Sequence, residues 1–161
     1  MSNQPLTSID LQRFLDENNV DATILSMTEH TPTVPDAARA LNVETDQIIK
    51  SLVFMIRGEP VLLINNGVAR VDPRKVAAHL EVGRKRVKFA TPDQAFDIAG
   101  YIVGSMPPFG HRQKLRTLVD TAILEIDPIF GGGGDLNAMM RLTTTELLRV
   151  TAAEVVSISE V

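Results

Sequence analysis

Lys50 stands between Ile48-Ile49 and Ser51-Leu52-Val53-Phe54, and the two-residue period of a strand puts it on one face with Leu52 and Phe54. A charge embedded in such a run is costly unless it reaches water or an anion. Two readings stay open at this point: a strand-end lysine snorkelling to solvent, or a clamp for a phosphate or carboxylate at a pocket rim. The second group of interest is the segment Gly100 to His111, which concentrates glycine and proline in a stretch too apolar for a solvated linker. Glycine allows close backbone approach, and the pair Pro107-Pro108 stiffens the chain beyond it. Such a loop, with Gly104, Ser105, Met106, Pro107, Pro108 and Gly110, can hold backbone N–H groups toward a ligand, an oxyanion site without a side-chain donor. A tight structural turn is the competing reading.

Other chemistries fall away. Gly131 to Gly134 is not followed by Gly-Lys-Ser/Thr, so a nucleotide P-loop is not indicated, and flexibility or close approach through Gly132 and Gly133 stands beside a plain hairpin loop. His30, His79 and His111 show no metal-ligand spacing, so no metal site is expected. His30 and His111 are the better site candidates of the three, whereas His79 reads as surface. Ser105 lies outside any Gly-x-Ser-x-Gly elbow, and without cysteine there is no thiolate nucleophile. What remains is a pocket of backbone, one lysine and apolar walls.

These residues need elements to hold them. Leu11, Phe14 and Leu15 mark a first helix behind the capping box Thr7/Asp10, and Ala22 to Met27 reads as a strand. Pro35 opens a second helix and Asn42 closes it, and Thr45-Asp46 caps one turn before the strand Lys50 to Ile56. Val61 to Ile64 follows at hairpin distance, and the turn Asn66-Gly67 predicts a third strand, Val68 to Val71, and hence a meander. Further helices are expected at Pro73 to Val82 with Gly83 as stop, at Asp93 to Ala99 and at Leu147 to Val150 behind Thr143/Glu146. Strands are expected at Val87 to Phe89, Leu115 to Val119, Ala122 to Ile126, Met139 to Leu142 and Val155 to Ile158, with Gly131 to Gly134 as a flexible loop. The irregular alternation points to an α/β chain of the α+β kind: one mixed, mostly antiparallel central sheet surrounded by short helices.

At 161 residues the chain is expected to be a single domain, 1–161, with one core and hence one site. No apolar run approaches the roughly 20 residues a membrane span requires, so no membrane role and a cytoplasmic location are expected. A net charge of −4 argues against a nonspecific coat on nucleic acid, DNA included, yet leaves room for one basic face. Arg84, Lys85, Arg86 and Lys88 could form it, against the alternative of an ordinary solvated surface.

Taken in order, the strand entry Gln47 to Phe54, the loop Gly100 to Gly110 and the late Gly131-Gly132-Gly133 before Leu147 to Thr151 resemble the YbaK/prolyl-tRNA-synthetase-associated editing domain family. The resemblance is strongest over 23–161. It implies that fold and a trans-editing aminoacyl-tRNA deacylase, a hydrolase removing a small wrong amino acid from tRNA, with tRNA-Pro a natural first choice and no cofactor. Lys50 matches the family lysine most closely tied to activity and would hold the phosphate or ribose end of the acceptor. Ser51 matches the small polar residue beside it, and the Gly104 to Pro108 loop would position the aminoacyl carbonyl. Several members carry a histidine in the late glycine region; this chain has none there, so the amino acid removed is not carried over. Partners would be the acceptor end of a mischarged tRNA and, as an open question, a synthetase. A noncatalytic tRNA- or nucleotide-binding module on the same fold is the alternative.

Overall fold

The computed structural model describes residues 4–161. Helix α1, Ser8–Glu17, starts at Thr7, whose hydroxyl oxygen accepts from Ile9 N while Asp10 closes the reciprocal capping box. Its apolar stripe sends Leu11 and Leu15 into the main core. Strand β1, Ala22–Ser26, is followed by α2, Val34–Leu41, which Thr33 caps and which ends on Asn42 in the left-handed region. One 3-10 turn, Thr45–Gln47, leads into β2, Ile49–Ile56, and its hairpin partner β3, Glu59–Asn66. Then come α3, Pro73–Leu80; β4, Val87–Phe89; α4, Pro92–Ala99; β5, Arg116–Val119; β6, Ile129–Gly132; β7, Ala138–Leu142; α5, Thr144–Thr151; and the two-residue β8, Glu154–Val155.

The α+β class expected from the sequence is the one found, but the sheet is divided in two. Five strands run in the order β4-β2-β3-β5-β8 and three in the order β1-β7-β6. Both β3–β5 and β5–β8 are parallel, and the four other pairs are antiparallel. A single parallel bridge, Ile48 to Phe130, joins the sheets. The largest core cluster packs α1, α4 and α5 residues against one face of β2 and β3 (Ile49, Val53, Leu62, Ile64), while α3 covers the opposite face (Phe54, Val61, Leu63). No helix among the described residues is long and apolar enough to cross a membrane.

Five local expectations give way. Val68 to Val71 is not a strand: Gly67, at φ +64, donates its N–H back to Ile48 O (2.9 Å), and only Val71 makes a bridge, to Ser159. Ala122 to Ile126 is a 3-10 helix, Thr121–Glu125, because the Asp120 carboxylate accepts from Ala122 N (3.0 Å) and captures the chain in a turn. Gly131 and Gly132 are not loop but part of β6, laddered to Met140 and Met139. Helix α3 stops on Glu81 in the left-handed region, before Gly83, and the last strand is shorter and earlier than Val155 to Ile158.

Candidate active site

Strand β2 pairs with β3 along its whole length but with β4 only from Phe54 to Ile56. Its first half therefore has an open edge, and a cavity of about 580 Å³ lies there. Ile48 to Val53 line one side, Phe89, Ala90 and Pro92 a second, Thr33, Val34 and Ala37 of the α2 region a third, and Gly104, Met106 and Gly132 the far wall. Ala90 N–H donates to Val53 O (3.0 Å), so the odd-numbered residues of β2 turn their backbone groups away from β3. Ser51 is the next odd residue, and continuing the β2–β4 register sets it against Pro92, which has no N–H. The backbone N–H and C=O of Ser51 thus face the cavity.

Among the described residues, Lys50 is the only titratable one lining this cavity. Its Nζ donates to Ala69 O, and burial pushes its pKa below the ordinary amine value. The same Ala69 carbonyl accepts from Asn65 Nδ2 (3.1 Å), and Asn65 is the cross-strand partner of Lys50. Asn65 Nδ2 also donates to Ser159 Oγ (3.2 Å), whose hydroxyl donates to the buried Asp120 carboxylate. A polar chain running from Asp120 through the C-terminal segment thereby fixes the carbonyl that holds the lysine. No carboxylate forms an ion pair with Lys50 among the described residues, so its charge faces the cavity without a counter-ion. Beside it, Ser51 Oγ is buried without a hydrogen-bond partner among the described residues, which leaves a hydroxyl at the cavity wall with unused capacity.

The Gly/Pro loop divides into a part that faces the cavity and a part that braces it. Gly104, at φ +99, and Met106 line the wall. Ser105 is fully buried: its Oγ donates to Ile102 O (2.8 Å) and its carbonyl accepts from Gly134 N (3.0 Å), so it is an anchor. The loop lies so close to β6 that a Cβ on Gly132 would sit 2.2 Å from Met106 O. Pro107, Pro108, Gly110 and His111 do not line the Lys50 cavity. The last three border a separate cavity of about 310 Å³ beside Phe14 and Arg149. His111 Nε2 sits 2.8 Å from Pro107 O; burial lowers its pKa, and the Pro107 contact opposes that shift. Gly133 belongs to the β6–β7 turn, donating to Ala138 O (3.1 Å). His30 is exposed near the cavity mouth, with Nε2 3.9 Å from where a Gly104 Cβ would stand.

Arg84, Lys85 and Arg86 form one exposed 3-10 turn leading into β4, and Lys88 is exposed on that strand. Sequence reasoning missed Phe89, the α2 wall and the Asn65–Ser159–Asp120 chain. The strand period flags Phe89 as sharing a face with the buried Val87, but nothing local in sequence links residues 65, 120 and 159. Chemically the site offers a cation, a free hydroxyl, backbone groups and apolar walls. That set can orient and polarise an ester, and the described residues lining it include no cysteine, histidine or carboxylate.

The profile of the family described as the aminoacyl-tRNA editing domain matches residues 28–150. A multifunctional Ser/Thr-tRNA deacylase, ProXp-y, of Escherichia coli (strain K12) is 29% identical over 113 residues, 67% of this chain and 66% of that protein. The proline–tRNA ligase of Listeria innocua is 26% identical over 108 residues, 67% of this chain but 19% of the ligase. A solved structure described as a candidate trans-editing enzyme for prolyl tRNA synthetase superposes with a TM-score of 0.89 at 28% identity, covering 96% of this chain and 97% of the other.

Proposed function

The chain belongs to the aminoacyl-tRNA editing domain family, and from that premise we propose that it is a trans-acting deacylase that hydrolyses the ester of a mischarged tRNA at the Lys50 cavity. The observation that carries this reading is that Lys50 is the sole titratable group among the described residues lining a cavity whose walls are largely apolar. An aminoacyl ester is already activated, so its hydrolysis needs placement and charge stabilisation more than a protein nucleophile. Water adds to the ester carbonyl, the bond to the ribose oxygen breaks, and the proton lost by the water ends on the released hydroxyl. The Lys50 ammonium, without a counter-ion, holds the anionic or ribose end of the acceptor. The backbone of Ser51, Gly104 and Met106 presents polar groups to the carbonyl, and the apolar walls accept a small side chain and turn away a larger one.

Similarity to a stretch of proline–tRNA ligase supports tRNA-Pro as the first carrier to test, and similarity to a Ser/Thr-tRNA deacylase supports small amino acids. The test is hydrolysis of a panel of mischarged tRNAs by the wild type and by Lys50→Ala. Turnover of a subset, lost in a variant that melts at the wild-type temperature, is the expected result. Saturable, salt-sensitive tRNA binding with no turnover anywhere in the panel would favour the noncatalytic binding module instead.

A further inference from the structure

An aromatic ring stands at the rim of the Lys50 cavity with one face covered and the other open. Phe89 lies on β4 opposite Phe54 of β2, and the two rings stack at 5.0 Å between centroids and 5° between planes. Phe54 is buried at 6% exposure, whereas Phe89 is 64% exposed and lines the cavity. Packing has thus fixed the ring's plane and left its outer face unused. Phe89 follows directly on the exposed Lys88 and on the exposed turn of Arg84, Lys85 and Arg86, and none of these four forms an ion pair among the described residues.

An open aromatic face beside unpaired cations is the surface on which single-stranded nucleic acid binds: bases stack on the ring while cations follow the phosphates. Here the geometry adds a measure of length. Phe54 and Lys50 share one face of β2 four residues apart, so the platform and the lysine are separated by about 13 Å along the strand. That span is comparable with one nucleotide carrying an aminoacyl group. We infer that Phe89 is the stacking platform for the terminal nucleobase of the acceptor strand, with Arg84, Lys85, Arg86 and Lys88 meeting the phosphates behind it and the ester directed toward Lys50. This rests on the deacylase reading and gives it a second anchor point, one that reads the end of the tRNA and not the amino acid.

The experiment uses the full chain and an uncharged tRNA whose terminal adenine is replaced by 2-aminopurine, a fluorescent base quenched by stacking; the protein has no tryptophan to interfere. Wild type and Phe89→Tyr quench the probe on binding. Phe89→Leu, which keeps an apolar side chain at an exposed site and melts normally, loses the quenching and binds about 5- to 100-fold more weakly. Equal quenching by Phe89→Leu and wild type overturns the platform. Turnover on the aminoacyl-tRNA panel is then measured with the same proteins. Turnover without a Phe89-dependent quench removes the platform and leaves the deacylase standing; a Phe89-dependent quench without turnover on any ester keeps the platform and removes the deacylase.

Discussion

Replacing Gly132 by alanine tests whether the far wall of the cavity is set by backbone contact. A Cβ there would lie 2.2 Å from Met106 O, 2.7 Å from Met106 C and 3.0 Å from Ser105 O. An ordinary carbon–oxygen contact requires one side to retreat by about 1 Å, and neither side is free. Gly132 is laddered to Met139, and Ser105 is held by hydrogen bonds to Ile102 and Gly134. Overpacking of this kind costs about 1–3 kcal/mol. For a chain of this length that is a drop in Tm of about 3–9 °C. The loop that yields is the one facing the cavity, so a displacement of about 1 Å should also lower kcat/KM by about 100-fold at a temperature where the variant is folded. Thermal melting and deacylation, run beside Gly83→Ala as the control with nothing within 4 Å of its Cβ, read both effects. A Gly132→Ala protein that melts and turns over like wild type would refute the claim that loop and strand are in backbone contact.

Burial lowers the Lys50 pKa, so the unfolded chain binds that proton more readily. Stability therefore rises with pH between the lowered folded value and 10.5, while activity that needs the ammonium falls over the same window. After subtraction of spontaneous ester hydrolysis, the alkaline limb should lie below 10.5 and move up in Lys50→Arg; a flat profile to that pH would count against the cationic role. Glu154 accepts from Arg116 Nε and Nη2 (2.7 and 2.8 Å) and lies 3.1 Å from His79, and these contacts, Arg116 first, hold its pKa at about 2. With the folded value depressed, its contribution is present above 4.5 and lost as pH falls through 2. The pair is partly exposed, so Glu154→Gln should cost no more than about 1 kcal/mol at pH 7 and flatten that acid limb in urea melts.

Where a local rule governs the chain, the sequence was a good guide. Thr7/Asp10, Thr143/Glu146 and Asn42 signal helix ends whose caps form within three or four residues, and those ends are where they were expected. Ala122 to Ile126 misled because a short apolar run fits a strand or a turn, and the arbiter, a hydrogen bond from Ala122 N to Asp120, competes only in the folded context. Gly131-Gly132 misled in the other direction: the absence of side chains, read as freedom, serves close packing against Ile49 and Met106. Lys50 stood out because a charge in an apolar strand demands a partner. That the partner would be Ala69, steadied by Asn65 and Ser159, depends on register and on residues nearly a hundred positions away, which no spacing rule encodes.

The two sheets meet through one bridge, Ile48 to Phe130, and beyond it through the approach of Ile49 to Gly131, where an added Cβ would sit 3.1 Å from Ile49 Cγ1. The cavity occupies this seam. Its width is therefore governed by van der Waals contact and not by a ladder of hydrogen bonds, and contact distances respond to a single methyl group where ladders do not. A lineage of such proteins can retune the size of residue it admits by small exchanges at Ile49, Val34 or Ala37 while every strand pairing stays as it is.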